Sequence, residues 1–498
     1  MGKLNIDVNL IHWLLLNLII MLGAFLRFYD LGGESYWYDE IIMLRVAQDN
    51  ICTIVEGGRP PIYIILAHFW IKLFGTEEVA TRSLSAILGV ASIPLIYLLG
   101  KELFDRKVGL IAAFLMAISQ FQIYYSQDFR YYSVFVLMTL FSFLFFILAL
   151  RVRSVTYFVC YVISSILMFY THTFGVFIIV AQAIYFILKS RNYGQLVALW
   201  FLSQVLILLA LLPRIINYLF KVNTGNIGPR WLPDPPYWTP LITLQNYVGA
   251  GLDYPSWQTL TIGFLFFFFG ILLFALWKGK DRWVESVGRL SRDISDLSTK
   301  RDELLLIGLW LLVPILLPFI LSKILRPMYH YRYTIAASPA LYLFLALAIA
   351  KFRKVIPELI SVGLILIVIA PGLHEFYVAP VREQWREAAK YVEDNSTIDD
   401  VIIFADAGKD QNRATFNWYY RGALSECGIN KHLKDYAAID KEFVKCMKDT
   451  GRFWFVVREV PSPAHYLTEF FLSNTKRNLK LIRERRFTKI TVYLFQMM

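Results

Sequence analysis

Long apolar runs, separated by short polar segments, fill most of the first 375 residues. Val134–Leu150, Leu304–Leu321 and Leu359–Ala370 are three of these runs. A transmembrane helix needs about 20 residues to cross the roughly 30 Å hydrocarbon core of a bilayer. Twelve segments are candidates by this criterion, and the pattern therefore predicts an all-α polytopic membrane protein.

The segment Ile62–Phe74 is the doubtful candidate. It is short, it contains His68 and Lys72, and it directly follows Pro60-Pro61. Apolar runs of 10–14 residues are more often interfacial than spanning. We therefore predict an external juxtamembrane helix here. The 11 remaining spans are predicted at residues 10–29, 82–100, 108–125, 132–150, 155–171, 173–189, 196–219, 258–277, 304–322, 333–350 and 356–374.

The positions of the basic residues support this count. With 11 spans and the N-terminus inside, every cytoplasmic loop is basic, as the positive-inside rule requires. These loops contain Lys101, Arg106, Lys107, Arg151, Arg153, Lys189, Arg191, Lys278, Lys280, Arg282, Arg289, Arg292, Lys300, Arg301, Lys351, Arg353 and Lys354. If Ile62–Phe74 spanned, all the loops after it would be inverted. The net charge of +12 is thus explained by orientation in a membrane rather than by nucleic-acid binding.

The predicted outer side receives the first loop (30–81) and a tail that is more polar than the rest of the chain. In the tail, Glu383–Asp394 has the period of an amphipathic helix. Short strands are predicted at Val401–Ala405, Phe453–Val457 and Lys489–Phe495. We therefore predict two domains, a transmembrane domain of residues 1–375 and a small extracytoplasmic α/β domain of residues 376–498.

Two features of the tail leave alternatives open. The aromatic segment Phe416–Tyr420 could stack on sugars, although a core strand is the simpler explanation. Cys427 and Cys446 could form a disulfide if the tail lies outside, or they could be two buried free thiols. The four cysteines of the chain show no CxxC pattern and no metal-ligand spacing.

Composition agrees with a membrane protein. The chain is 57% hydrophobic and 18% charged, whereas about a quarter of the residues of a soluble protein are charged. The first apolar stretch, Leu10–Leu26, has no small-residue cleavage site, so we expect an uncleaved helix rather than a signal peptide. No ionisable residue falls in the middle of a span, which argues against a proton or ion pathway.

The first loop contains adjacent carboxylates among aromatic residues, in the segment Tyr36-Trp37-Tyr38-Asp39-Glu40. A carboxylate near the membrane surface could act as a general base. The aromatic residues could equally be interfacial anchors. The acidic pair could also simply open the helix that follows, favoured by its dipole. Taken alone, this segment fits the structural interpretation better.

Basic residues at the same predicted membrane edge change that balance. Each could singly be a snorkelling anchor, but together they predict a basic pocket at the level of the lipid headgroups. The guanidinium group of arginine can bind two phosphate oxygens at once, so a lipid-linked phosphate is the expected ligand. The predicted phosphate-binding residues are Arg59, Arg82, Arg130, His330 and Arg332, with Tyr125, Asp128, His172 and Arg326 as further pocket residues.

Four stretches resemble those of GT-C membrane glycosyltransferases. Tyr-Trp-Tyr-Asp39-Glu40 looks like their Asp-Glu signature. The group it resembles is the bacterial and archaeal branch of the protein O-mannosyltransferase and aminoarabinose transferase superfamily (glycosyltransferase family 39-like). The other stretches are Arg59-Pro-Pro-Ile-Tyr63, Ala80–Gly89 with the Pro94–Tyr97 that follows, and Tyr125–Tyr132. The resemblance covers roughly residues 10–375, and the tail shows none.

This resemblance implies a GT-C fold and a role for each matching residue. Asp39 would deprotonate the acceptor, and Glu40 would support it or bind the acceptor. Arg82 matches the arginine that contacts the donor's phosphate. Arg59 stands where aminoarabinose transferases carry a phosphate-binding lysine. Those enzymes have a glutamate before that lysine, whereas this chain has Gly58, so its handling of acceptor or sugar is expected to differ.

The predicted function is that of an inverting glycosyltransferase. It would move a monosaccharide from a polyprenyl-phosphate donor to a glycan, lipid or protein acceptor at the outer face of the cell membrane. One alternative is a lipid or oligosaccharide flippase, although flippases usually show internal repeats or charges within spans. Another is an O-antigen ligase or polymerase. A retaining hydrolase, which needs a carboxylate pair, is disfavoured by the basic pocket.

No cofactor is expected. Some GT-C enzymes use a divalent ion, and Asp39, Glu40 and Asp128 could supply its oxygen ligands. The predicted basic pocket makes such an ion less necessary, because its cations already face the phosphate.

Overall fold

Two units divide the chain, which the computed structural model describes at residues 8–223, 232–248, 300–352, 355–406, 411–447, 451–459, 464–473 and 478–498. The membrane unit comprises Met1–Tyr29, Ala47–Gly75 and Ala80–Phe376. The tail unit comprises Asp30–Val46, Thr76–Val79 and Tyr377–Met498. Pieces of the first loop thus belong with the C-terminal residues, whereas the division made from the sequence placed the whole loop in the transmembrane domain.

The apolar runs of the membrane unit fold as helices, because a backbone in hydrocarbon must satisfy its own hydrogen bonds. In chain order, the described α-helices up to residue 378 are α1 (Val8–Phe28), α2 (Tyr38–Gln48), α3 (Ile51–Glu56), α4 (Pro61–Phe74), α5 (Glu78–Leu103), α6 (Arg106–Ile118), α7 (Gln120–Ser126), α8 (Tyr132–Val152), α9 (Val155–Thr171), α10 (Gly175–Lys189), α11 (Val197–Asn223), α12 (Thr239–Val248), α13 (Arg301–Ile324), α14 (Ser338–Ala350) and α15 (Val355–Val378). The 3₁₀ helices Ser190–Leu196 and Tyr331–Ala337 precede α11 and α14. Helices α2 and α5 begin in segments of the tail unit.

Many of these helices could cross a membrane. Among the described residues, seven segments are long and apolar enough, and the bent pair α6–α7 could be an eighth. Helix α9 has 17 residues and α4 has 14, so both are shorter. The span predicted at 258–277 lies outside the described residues. The multi-pass architecture is therefore confirmed, while the count of 11 stays a prediction.

The crossing predicted at residues 108–125 is not one continuous helix. It breaks at Ser119 into α6 and α7, whose axes are bent by 59°. Ser119 has an extended backbone, and its hydroxyl accepts a hydrogen bond from the Gln122 N–H at 3.3 Å. A serine that caps the helix after it in this way offers the backbone an alternative to continuing the helix before it.

The tail unit contains one five-stranded sheet of order β2-β1-β3-β5-β4. Its strands are β1 (Val401–Asp406), β2 (Ser425–Asn430), β3 (Arg452–Arg458), β4 (Leu479–Phe487) and β5 (Ile490–Met497), and its helices are α16 (Trp385–Asn395), α17 (Gln411–Tyr419), α18 (Tyr436–Met447) and α19 (Ala464–Leu472). β1 pairs in parallel with β2 and β3, and β5 pairs antiparallel with β3 and β4. Helices α17 and α18 provide the crossovers that parallel neighbours need.

Both faces of this sheet are covered. Val401, Ile403 and Ala405 of β1 belong to the core that includes α18 and α19. Ile402 and Phe404, which alternate with them, belong to the core that includes α16 and α17. Alternation along a strand sends neighbouring side chains to opposite faces, so the apolar run of β1 is buried on both sides.

The core strand expected at Phe416–Tyr420 is wrong, because the first four of these residues end helix α17 and Tyr420 directly follows it. Phe416 and Tyr420, four residues apart, pack their rings 5.2 Å from each other, and Phe416 lies 5.3 Å from Phe404 of the sheet. Aromatic residues favour strands, but here the helical spacing of the buried positions decides. Strand β4 was not foreseen, since seven of its nine residues are exposed and show no apolar alternation.

Cys427 of β2 and Cys446 of α18 form a disulfide, which decides between the two alternatives left open by the sequence. Their Cα atoms lie 5.6 Å apart, within the normal range for a disulfide. Cys52 and Cys160 are free thiols, and Cys52 is exposed.

Candidate functional site

Three polar stretches that are separate in sequence meet in the membrane unit. The hydroxyl of Tyr63, in α4, lies 2.8 Å from the hydroxyl oxygen of Ser85, in α5. Ser85 in turn donates to the backbone carbonyl of Arg130 at 3.2 Å. The Tyr63 ring also packs edge-on against Phe129, with 5.7 Å between ring centroids. The three stretches therefore converge on the turn that carries Arg130.

Two charged side chains of these stretches are buried. Arg82, which lies one helical turn before Ser85 on α5, is 1% exposed, and Asp128 is fully buried. The N–H of Arg130 donates to the carbonyl of Asp128 at 2.6 Å. Arginine and aspartate are almost never buried without a special reason, so both residues mark this region as a functional candidate.

A basic and aromatic cluster surrounds Arg130 and Arg332. The guanidinium of Arg130 lies 4.7 Å from the ring centroid of Tyr131, and that of Arg332 lies 5.3 Å from the ring centroid of Tyr333. The ring of His172 lies 5.0 Å from Tyr131 and 5.3 Å from Tyr333. Residues from three separate loops thus bring two fixed positive charges near one histidine.

The two histidines of this cluster are neutral. Nδ1 of His172 accepts from the N–H of Phe174 at 3.1 Å, and Nδ1 of His330 accepts from the N–H of Arg332 at 3.3 Å. A nitrogen that accepts carries no proton. Burial and then the charges of Arg130 and Arg332 lower the pKa of His172 to about 3. Burial and then Arg332 lower the pKa of His330 to about 3. The positive charge of the cluster therefore comes from its arginines.

Arg59 lies in an exposed turn before α4. Arg214 of α11 holds this turn by donating to the carbonyl of Gly58 at 2.9 Å and to the carbonyl of Arg59. Its guanidinium also lies 5.3 Å from the ring centroid of Tyr170. Within the described residues, the Arg59 guanidinium has no hydrogen bond or ion pair, which suits an anion ligand. Sequence reasoning missed Arg214, whose only signal was a lone charge in an apolar segment.

Arg27, which sequence reasoning also missed, holds the break between α6 and α7. Its side chain is fully buried near the end of α1. It donates to the carbonyls of Gly23, Met116 and Ala117, each at 3.0 Å, and to the hydroxyl of Ser126 at 3.2 Å. Met116 and Ala117 belong to the last turn of α6, where carbonyls lack partners within the helix.

Gln127 makes the reciprocal contact. Its side-chain amide donates to the carbonyls of Arg27 at 3.2 Å and Tyr29 at 2.9 Å, at the carboxyl end of α1. Gly89 of α5 leaves room for this arrangement, since a Cβ there would lie 2.2 Å from the hydroxyl oxygen of Ser126. Arg27 thus caps the end of α6, Gln127 caps the end of α1, and together they fix the chain that leads to Arg130.

Two further predicted pocket residues lie in the same segments. Tyr125 is buried in α7, with its ring 4.7 Å from that of Tyr132. Arg326 is half-buried in the turn between α13 and His330.

The predicted carboxylates lie in the tail unit, in the first turn of α2. Glu40 is fully buried, and its carboxylate accepts from the N–H of Trp37 at 3.3 Å, which caps the helix. Asp39 is half-buried and is the more exposed of the two. Both sit where the helix dipole favours negative charge. The helix-opening role that the sequence left open is therefore present, carried by Glu40.

Arg382 approaches Glu40 from the C-terminal part of the tail unit. It is 5% exposed, and its guanidinium lies 3.9 Å from the Glu40 carboxylate and 3.6 Å from that of Glu34. Sequence reasoning missed this residue, which is a single arginine just after the last span.

Among the described residues, no group of three or more histidine, cysteine, aspartate or glutamate side chains is arranged to hold a metal ion. The expectation that no metal takes part stays a prediction.

Comparison with known proteins decides the fold. Residues 58–217 match the family described as dolichyl-phosphate-mannose-protein mannosyltransferase. The structure superposes on ArnT from Cupriavidus metallidurans in the apo state with a TM-score of 0.60 and 12% identity, covering 98% of each chain. This protein has the GT-C fold.

Further GT-C structures are similar to it. ArnT from the same organism bound to undecaprenyl phosphate matches with a TM-score of 0.58 and 13% identity, over 97% of this chain and 98% of that one. The archaeal oligosaccharyltransferase AglB from Archaeoglobus fulgidus, in complex with an inhibitory peptide and a dolichol-phosphate, matches with a TM-score of 0.52 and 13% identity. That match covers 97% of this chain and 74% of AglB. No curated protein matches the sequence. The GT-C resemblance inferred from the motifs is confirmed.

We expect the neutral, buried His172 to make the protein less stable in mild acid. Its pKa is about 3 when folded and about 6.5 in an unfolded chain. Between these values the unfolded chain binds more protons, so stability falls as the pH falls. Lowering the pH from 7 to 5 should therefore reduce the free energy of unfolding by about 2 kcal/mol through this residue. Thermal unfolding in detergent at both pH values measures the effect.

His172→Asn keeps a hydrogen-bond acceptor. It should reduce the loss of stability between pH 7 and pH 5 by about 2 kcal/mol. Thr173→Asn, at the exposed next position, is the matched control and should behave as the wild type does. An equal pH dependence in wild type and His172→Asn would contradict a neutral buried ring.

Proposed function

We propose that this protein is an inverting membrane glycosyltransferase that moves a monosaccharide from a polyprenyl-phosphate donor to an acceptor. The observation that carries the proposal is the convergence of three stretches on Arg130, where Arg332 joins it, in a chain with the GT-C fold. The ArnT structure with bound undecaprenyl phosphate supports the choice of donor lipid. The acceptor is a glycan, a lipid or a protein.

Arg130 and Arg332 bind the donor's phosphate in this proposal, and Arg59 and Arg82 assist them. Both cluster arginines lie near tyrosine rings, which restrict the positions of their guanidinium groups. Fixed donors that meet developing charge in a water-poor site stabilise a transition state more than mobile water does, and removing one such donor typically lowers the rate by about 10²–10³-fold. The neutral His330 and His172 add hydrogen-bonding groups without adding charge.

Asp39 is the proposed general base. It removes the proton of the acceptor's nucleophilic group, whose freed electron pair attacks the anomeric carbon. The bond from that carbon to the phosphate oxygen breaks, and its electron pair leaves with polyprenyl phosphate. One displacement from the opposite face inverts the anomeric configuration, so no covalent sugar intermediate is needed. Glu40 supports Asp39 from within the helix cap.

The proposed reaction uses no metal ion. A leaving phosphate needs positive charge, and the arginines supply it. The proposed mechanism therefore gives a divalent ion no necessary role.

We also propose that the tail faces the outside of the plasma membrane. The disulfide between Cys427 and Cys446 supports this orientation, because disulfides persist in oxidising compartments and are rare in the cytosol. The predicted distribution of basic loops independently favours the same orientation.

The Asp39→Asn variant tests the proposed chemistry. Purified wild-type protein in EDTA should release polyprenyl phosphate from a labelled polyprenyl-phosphate sugar when an acceptor extract is added. Asp39→Asn should lower this release about 10²–10⁴-fold, because the acceptor loses its base. Asp49→Asn, an exposed aspartate just after the same helix, is the matched control and should retain full activity.

Two outcomes of this assay would contradict the proposal. Full activity in Asp39→Asn would remove Asp39 from the role of base. Movement of the labelled lipid across proteoliposomes without release of polyprenyl phosphate would indicate a carrier instead.

Arg130→Gln and Arg332→Gln test donor binding. Each should raise the KM for the donor about 10–100-fold, because a hydrogen bond to a charged group contributes about 1.5–3 kcal/mol. Initial rates at varied donor concentration give the KM. Arg191→Gln, an exposed arginine outside the cluster, should leave the KM unchanged. An unchanged donor KM in both cluster variants would exclude these arginines from the phosphate site.

Cysteine labelling tests the orientation. In a Cys160→Ser background, a membrane-impermeant maleimide should label the exposed Cys52 in intact cells, because its loop is predicted outside. Arg191→Cys in a background that lacks both free thiols should be labelled only after permeabilisation. The opposite pattern, with Arg191→Cys labelled in intact cells and Cys52 protected, would invert the proposed topology.

A further inference from the structure

The segment that carries the carboxylates is built into the tail unit. The N–H of Tyr36 donates to the hydroxyl of Tyr419 at 2.6 Å, and the Tyr36 ring meets that of Trp418 edge-on at 6.1 Å. One residue earlier, the Ser35 hydroxyl donates to the Glu387 carboxylate at 2.9 Å. Residues 30–46 and the C-terminal part of the chain therefore fold as one body, although more than 300 residues separate them.

Within this body, Arg382 connects directly to the helix that carries Asp39. Its guanidinium lies 3.9 Å from the carboxylate of Glu40 and 3.6 Å from that of Glu34. The Glu34 carboxylate also accepts the backbone N–H of Arg382 at 2.9 Å and that of Val381. Glu34 thus holds both the backbone and the side chain of Arg382, and Arg382 reaches from there to Glu40.

Burial makes this contact energetically important. Glu40 is fully buried and Arg382 is 5% exposed. Removing one partner of a buried ion pair leaves the other charge uncompensated, which typically destabilises the local structure strongly. The arginine therefore helps to keep the Glu40 carboxylate in the position where it accepts the Trp37 N–H.

The position of Glu40 controls that of Asp39. The two are adjacent in the first turn of α2, and the capping hydrogen bond from Trp37 to Glu40 fixes where that turn begins. A displaced cap would change the direction in which the Asp39 side chain points from the helix. A misplacement of about 1 Å in a reacting group can lower a rate about 10²-fold.

We propose that Arg382 is a positioning residue for Asp39 and acts through Glu40, so that the tail unit is part of the catalytic apparatus. This inference rests on the proposed function, in which Asp39 is the base. It assigns the C-terminal residues a role in orienting the catalytic carboxylate, independent of any part they play in binding the acceptor.

Arg382→Met in the full chain tests the proposal. We expect kcat to fall about 10–100-fold while the donor KM stays within twofold of wild type, because donor contacts are untouched. Hydrogen exchange of the Trp37 amide, measured by mass spectrometry on peptides covering residues 36–41, should become at least tenfold faster. This second measurement needs neither substrate nor activity.

Arg452→Met is the matched control. Arg452 makes two hydrogen bonds to Asp400, at 2.7 and 2.8 Å, within the tail unit. Its loss should lower the thermal stability of the tail without changing exchange at residues 36–41 or kcat. If Arg452→Met and Arg382→Met lower kcat equally, loss of tail stability explains the effect and the positioning role is wrong.

A double variant covers the case in which Arg382→Met does not fold. Glu40→Gln removes the charge that the arginine compensates, so adding Arg382→Met to it should change kcat by less than twofold. A further tenfold loss would show that Arg382 does not act through Glu40 and would overturn the proposal. If hydrogen exchange at residues 36–41 is as slow in Arg382→Met as in the wild type, the proposal is also overturned.

The test separates this inference from the proposed function. Full activity in Asp39→Asn overturns the proposed function. A normal kcat in Arg382→Met beside an inactive Asp39→Asn overturns the positioning role alone.

Discussion

The arrangement of the membrane unit depends on one buried cation. A charged side chain is costly in a bilayer unless polar groups surround it, and a helix that breaks inside an apolar run exposes carbonyls that need donors. The hydrogen bonds from Arg27 to the carbonyls of Met116 and Ala117 satisfy both needs: they surround the charge with polar groups, and they give the carbonyls at the end of α6 a donor. Because Gln127 caps the end of α1 in return, the chain leaves the break in a fixed direction toward Arg130.

The two kinds of chemistry in the proposed reaction are carried by different units. The positive cluster of Arg130 and Arg332 belongs to the membrane unit, and the acidic pair Asp39 and Glu40 belongs to the tail unit. Each is held by its own network. The Ser85 hydroxyl holds the backbone of Arg130, and a neighbouring tyrosine ring lies near each arginine. A helix cap and a buried ion pair hold Glu40.

Hydropathy was sufficient to predict a multi-pass architecture, because apolar runs long enough to cross a bilayer are visible in the sequence one by one. The contacts among Tyr63, Ser85 and Arg130 bring three of the four motif stretches together in the membrane unit, while the roles assigned to their residues stay predictions. The break at Ser119 was missed because residues 108–125 were taken as one span, although Ser119, Gln120 and Gln122 interrupt the apolar run. The helix that ends at Tyr419 was missed because aromatic content was weighted above the spacing of buried positions.

The residues that support the site were missed for another reason. Arg27, Arg214 and Arg382 are single charges without a local pattern. Their importance lies in partners that are 89 or more residues away in sequence. Local periodicity can be seen in a single sequence, but the distant residue that forms a hydrogen bond or ion pair with a given charged side chain cannot.

The ion pair between the first loop and the tail also has a consequence for biosynthesis. Glu34 and Arg382 are separated by 348 positions. At a synthesis rate of 5–20 residues per second, about 20–70 s pass between the appearance of the two residues. Throughout that interval the nascent chain carries its acidic pair without the arginine that orients it. Maturation of the carboxylate segment must therefore wait until the last quarter of the polypeptide has been made and folded.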